Sequence, residues 1–104
     1  MRRFGAIGIR LGLVGFVSVL PSHLFAYTGE ELEKNAKVSI EQARAIALQA
    51  RAGAINDEEL ERETGGSGLR YSFIVKSGGA LFEVGVDAQT GKVLENKKEG
   101  PNPD

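Results

Sequence analysis

The sequence predicts an α+β domain in which one N-terminal amphipathic helix packs on an antiparallel sheet of three or four strands. Three observations predict it. A helix-start signal at Ser39 opens a stripe of apolar residues at steps of three and four. Apolar residues then alternate from Tyr71 and again from Phe82. Between those two runs, Gly78-Gly79 supplies a tight turn.

The helix is the best-specified element. Ser39-Ile40-Glu41-Gln42 is a capping box, in which the Ser39 hydroxyl accepts the Gln42 N–H and the Gln42 side chain returns to the Ser39 N–H. Ile40, Ala43, Ile46, Ala47 and Ala50 form one stripe, with Glu41, Arg44, Gln49 and Arg51 off it. The helix is expected over residues 40–52, with Gly53 as its left-handed terminator. Residues 54–63 (AINDEELERE) are ambiguous from periodicity. Propensity favours a helix capped at Asn56, but Ile55 and Leu60 are too few large apolar groups for a helix that must pack. As a strand, Asp57, Glu59, Glu61 and Glu63 share one face and Leu60 takes the other; Ile55 joins the acidic face unless a bulge resets the register.

Residues 64–68 (TGGSG) read as a loop. Residues 70–76 alternate with Tyr71, Phe73 and Val75 on one side. Phe82, Val84 and Val86 repeat the pattern, and these six residues are expected to face the helix. Residues 87–91 (DAQTG) form a second turn. Asp87 opens it by accepting backbone N–H groups, and Gly91 suits its left-handed position. A last strand is expected over residues 92–96.

The first 26 residues differ from the rest. Arg2, Arg3 and Arg10 precede an uncharged apolar run from Leu11 to Leu20, Pro21 breaks it, and residues 22–26 (SHLFA) end on a small residue. That is the layout of a secretory signal peptide cleaved after Ala26. The run is too short for a transmembrane anchor, which needs about 18 apolar residues. Gly5, Gly8, Gly12 and Gly15, each costing about 1 kcal/mol in a helix, argue against a core helix. The expected organisation is signal peptide 1–26, polar leader 27–38 (mobile or loosely helical), folded domain 39–96 and disordered tail 97–104. The location that follows is periplasmic or secreted, with no stable membrane anchor after cleavage.

Composition excludes much chemistry. Cysteine is absent, and the one histidine, His23, lies in the segment expected to be removed. A chain without either has no Ser-His-Asp triad, thiol nucleophile or His/Cys zinc site. Setting Arg2, Arg3 and Arg10 aside leaves ten basic residues against 14 acidic ones, with no basic patch for nucleic acid. The acidic run 57–63 lacks the Asp/Asn-Gly loop that wraps calcium, so it reads as a solvated strand face. Gly65-Gly66-Ser67-Gly68 is followed by neither a helix nor a lysine, as a phosphate loop requires, and reads as a plain loop. No catalytic residue, cofactor or metal is expected.

The segment from Ser39 to Leu94 resembles a PepSY domain. The resemblance is carried by the helix SIEQARAIALQARAG, the acidic segment ELERE, the strand YSFIV and above all VDAQTGKVL at 86–94. It implies a helix followed by an antiparallel sheet, and hence a strand at 55–63. PepSY domains occur in propeptides of thermolysin-type secreted peptidases and in other envelope proteins, where a restraining role has been proposed for them. The resemblance therefore implies a non-catalytic binding module with a protein partner, regulating or inhibiting an envelope peptidase. The chain is expected to depart from the propeptide case in having no peptidase attached, so a chaperone role in cis is not expected. The alternative is a structural or sensory envelope protein that binds a metal ion or partner domain through the acidic segment.

The contact surface expected from the strand pattern is the sheet face that one helix leaves uncovered: Arg70, Ser72, Ile74, Lys76, Leu81 and Glu83. A monomer or weak homodimer is expected.

Overall fold

A computed structural model describes residues 26–100. The signal-peptide reading of residues 1–25 and the prolines of the tail lie outside the described residues. Within them, a 3-10 helix (Glu30–Asn35) precedes α1 (Ile40–Ala50), followed by β1 (Ala54–Arg62), β2 (Leu69–Ser77), β3 (Ala80–Asp87) and β4 (Val93–Lys98). The strands form one antiparallel sheet in the order β1-β2-β3-β4. The α+β class with four strands is therefore the observed one.

The capping box holds. Ser39 Oγ accepts the Gln42 N–H at 3.1 Å, and Gln42 Oε1 accepts the Ser39 N–H at 2.9 Å. Ile40, Ala43 and Ala47 bury the inward stripe of α1. The helix stops at Ala50, earlier than the periodicity suggests, because Arg51 turns extended and serves elsewhere. Its guanidinium lies 3.8 Å from the Phe82 ring centroid, and its Nε donates to Asn96 Oδ1. Gly53 is thus not the cap. It is required because a Cβ there would fall 2.2 Å from the Lys76 carbonyl oxygen.

Residues 54–62 form a strand, and a bulge decides its register. Ile55 lies opposite Val75 and Asp57 opposite Ile74, so Asn56 is the extra residue. The bulge brings Ile55 to the same face as Leu60 and leaves Asp57, Glu59 and Glu61 on the other. The inner face carries Leu60, Tyr71, Phe73, Val75, Val84 and Val86, all buried in one cluster with Ile40, Ala43 and Ala47 of α1. Phe82 shares that face but is only partly covered, with Arg51 over its ring.

Two flanking segments differ from expectation. Residues 27–38 supply Tyr27, Leu32, Ala36 and Val38 to the core margin, and the Tyr71 hydroxyl donates to the Val38 carbonyl at 2.7 Å. At the other end, Lys97 and Lys98 belong to β4 rather than to a disordered tail, lying opposite Glu83 and Phe82. Leu94 is an extra residue in β4, since Val93 pairs with Val86 and Glu95 with Gly85.

Candidate functional site: the outer face of the sheet and its turn

The alternation that buries one set of side chains places the other set on the face away from α1. The strand register arranges these residues in rows. Asp57, Ile74, Glu83 and Lys97 form one row; Glu59, Ser72, Gly85 and Glu95 form the next; Glu61, Arg70 and Asp87 form the third. Lys76 and Leu81 pair near the hairpin. The six residues expected on this face therefore share it, and the acidic strand β1 adds three carboxylates to the same surface.

Their environments differ sharply. Lys76 and Leu81 are exposed, while Ser72, Ile74 and Glu83 are half-buried. Arg70 is only 8% exposed. Its Nη1 pairs with Glu95 Oε1 at 3.2 Å, and its Nη2 donates to the Thr64 carbonyl at 3.2 Å. The side chain lies over Gly85, where a Cβ would approach Nη1 to 3.1 Å. Arg70 therefore ties β2, β4 and the 64–68 loop together, a structural task that leaves little of it for a partner. The signal for this role was the isolated Gly85 within an alternating strand.

Carboxylates crowd the rest of the face. Burial pushes the Glu61 carboxyl above its usual range; Glu59 beside it adds to the rise, while a 2.8 Å bond from the Ser72 hydroxyl opposes it. Burial likewise raises Glu83, reinforced by Glu95 and Glu99 and opposed by Lys97. Lys97 Nζ pairs with Glu95 Oε2 at 3.0 Å.

The turn is built around Asp87, which is 1% exposed. Asp87 Oδ1 accepts the Gln89 N–H at 2.8 Å, the Thr90 N–H at 3.1 Å and the Ser67 hydroxyl at 2.9 Å. Oδ2 accepts the Ser67 N–H at 2.7 Å. Burial alone would raise this carboxyl, but the hydrogen bonds from Ser67, Gln89 and Thr90 outweigh it and hold the group at about 2. Asp87 is therefore a fixed anion saturated by donors, poorly suited to carrying a proton at neutral pH. Gly91, at φ +81, closes the turn, its N–H donating to the Asp87 carbonyl. Ser67 and Gly66 were not foreseen in this role. At Gly66, a Cβ would fall 2.3 Å from Asp87 Oδ2, so the loop that resembled a phosphate cradle in composition instead cradles a carboxylate of its own chain.

On the opposite face, Glu58 leaves the acidic run and accepts two bonds from Arg44 of α1, at 2.9 and 2.8 Å. Among the described residues, no group of three or more His, Cys, Asp or Glu side chains is placed to hold a metal ion. Among them, too, no helix is long and apolar enough to cross a membrane.

The family model described as peptidase propeptide and YPEB domain matches residues 37–97, more than half of the chain. No curated protein and no solved structure matches it significantly.

Proposed function

The chain belongs to the PepSY family, and from that premise we propose that it is a non-catalytic, exported binding module whose partner is a peptidase of the cell envelope. The observation that carries the reading is the outer sheet face. It offers exposed Leu81 and half-buried Ile74 among carboxylates, with no element of the described chain packed across it. Such a surface suits a modest, mixed contact in which apolar residues supply area and the charged rim supplies orientation. The state of Asp87 supports the absence of catalysis, because this buried carboxylate is committed to holding the turn.

Export is proposed by cleavage after Ala26. Tyr27 supports that position, because among the described residues it is the first that packs against the core. A monomer or weak homodimer is the proposed form. A metal-sensing role through the acidic strand draws no support from the geometry, since Glu58 is engaged by Arg44 and Glu61 by Ser72.

The test uses the secreted protein carrying a photo-crosslinking residue at Leu81, with a second version carrying it at Glu41 on the exposed side of α1. Crosslinking to a thermolysin-type peptidase through Leu81 alone, with loss of that peptidase's activity on titration, is the expected result. Unchanged activity at saturating protein, or equal crosslinking from both positions, overturns it. Mass analysis of the exported protein is expected to give Tyr27 as the first residue.

A further inference from the structure

The family match begins at Lys37, yet the stretch from Tyr27 to Ala36 before it is built into the fold. Thr28 forms a parallel bridge with Glu59, and its carbonyl accepts the Leu60 N–H at 2.8 Å. This strap thus occupies the edge of β1, where a fifth strand would lie. Tyr27 sets its ring near Tyr71, with centroids 6.4 Å apart. Gly29 adopts φ +87, and a Cβ there would fall 1.8 Å from the Leu60 carbonyl oxygen. The edge therefore selects an aromatic residue, a spacer and a glycine.

The strap is held far more lightly than the ladder it extends. Its bridge to β1 is isolated, whereas β1 pairs with β2 from Ala54 to Arg62. The 3-10 turn after it buries no residue and has no side-chain cap at Gly29. The bond from the Tyr27 hydroxyl to Glu33 is exposed, as are those joining Asn35 to Arg62 and Gln89. Elements with so few buried contacts open at free energies below that of global unfolding. The edge also extends past the strap. A cleft of about 330 Å³ separates Ala26 and Tyr27 from Ile55, Asn56, Asp57 and Glu58 at the bulged end of β1.

We propose that Tyr27–Ala36 is a releasable occupant of a strand-accepting edge on β1, and that the vacated edge takes an extended aromatic-x-Gly segment of a partner protein in the same parallel orientation. Backbone bonds to β1 supply the affinity, the Tyr71 ring selects the aromatic residue, and the Leu60 carbonyl selects the glycine. This surface is distinct from the outer face, so either assignment can fail without the other.

The test compares the full secreted chain with its Gly29→Val and Tyr27→Ser variants, the second removing only the ring contact and its hydroxyl geometry. The probe is a fluorescein-labelled peptide of residues 27–36, with a control peptide carrying valine in place of its glycine. Both variants are expected to exchange the Leu60 amide faster while Phe73 and Val84 stay protected. Both are also expected to bind the probe at least roughly tenfold more tightly than the unaltered chain, and to reject the control. Three results overturn the proposal: Leu60 protection unchanged in both variants, Phe73 protection lost together with that of Leu60 in both, or probe binding no tighter than in the unaltered chain.

Discussion

The two faces of the sheet are made from the same four strands but are filled by different means. The inner face is apolar, and Tyr71, Phe73, Val75, Val84 and Val86 on it are fully removed from solvent. The outer face is covered by its own side chains, with Arg70 of β2 lying across Gly85 to reach Glu95 of β4 and Ser72 of β2 bonded to Glu61 of β1. Burial of apolar area is non-directional and accumulates over every contact. A charged face at partial exposure gains little from each pair, because solvent screens it. Stability should therefore reside on the inner face, and the outer one should be free to change.

The largest effect expected is on the inner face. Phe73→Ala removes a fully buried ring stacked beside Tyr71 and should cost about 3–5 kcal/mol. That is enough to unfold a small domain, and urea denaturation followed by circular dichroism measures it. A loss no greater than that of an outer-face substitution would break the comparison.

Asp87, like Arg70 beside it, is an exception, lying in an outer row yet buried. Its folded carboxyl is held at about 2, below the ordinary 3.8. A carboxyl lowered on folding contributes stability above its unfolded value and loses it as pH falls through the folded value. The contribution is about 2 kcal/mol at neutral pH and should fade between pH 4 and 2. Asp87→Asn should lower the urea midpoint at pH 7, with its difference from the parent shrinking across that acid window. A difference independent of pH would show that the turn draws nothing from the charge.

A smaller effect is expected at Ser72, whose hydroxyl donates to Glu61 at 2.8 Å across the half-buried outer face. Ser72→Ala should cost about 1 kcal/mol. It should also raise the Glu61 carboxyl further, because the lost bond favours the ionised form. Titration of Glu61 by carbon-13 NMR separates this from simple loosening of the strand.

How much of this was legible in the sequence follows from the range of the interactions. The capping box at Ser39 lies within one turn, and the alternation around Tyr71 and Phe82 repeats every second residue, so both could be read directly. The register of β1 was legible only as a condition, since a bulge had to reconcile Ile55 with Leu60, and Asn56 provides it. The early end of α1 depends on Arg51 reaching Phe82 and Asn96, partners that no local pattern announces. The same holds for Ser67 and Asp87, 20 residues apart. The strap at Tyr27 escaped because its contacts come from single residues of an aperiodic, polar stretch. On the outer face the strand pattern showed which residues share the surface, but not that Arg70 would be buried in holding it together.

The smallest effect has the opposite sign and sharpens the contrast most. Glu83 sits on the outer face with its carboxyl raised by burial and by Glu95, Glu99 and Glu61, with Lys97 opposing them. A carboxyl raised on folding binds its proton more tightly in the native state, so its charge costs stability once pH exceeds the folded value. Glu83→Gln removes that cost and should produce a small rise in the urea midpoint at pH 7. The gain should vanish as pH falls below the ordinary carboxylate range, where the group is protonated in both states. The same substitution reduces the acidity of the proposed contact surface, so crosslinking through Leu81 should weaken while stability improves. A residue retained against stability is what a binding surface predicts; Glu83→Gln losing stability at pH 7 would instead place Glu83 among the groups that hold the sheet together.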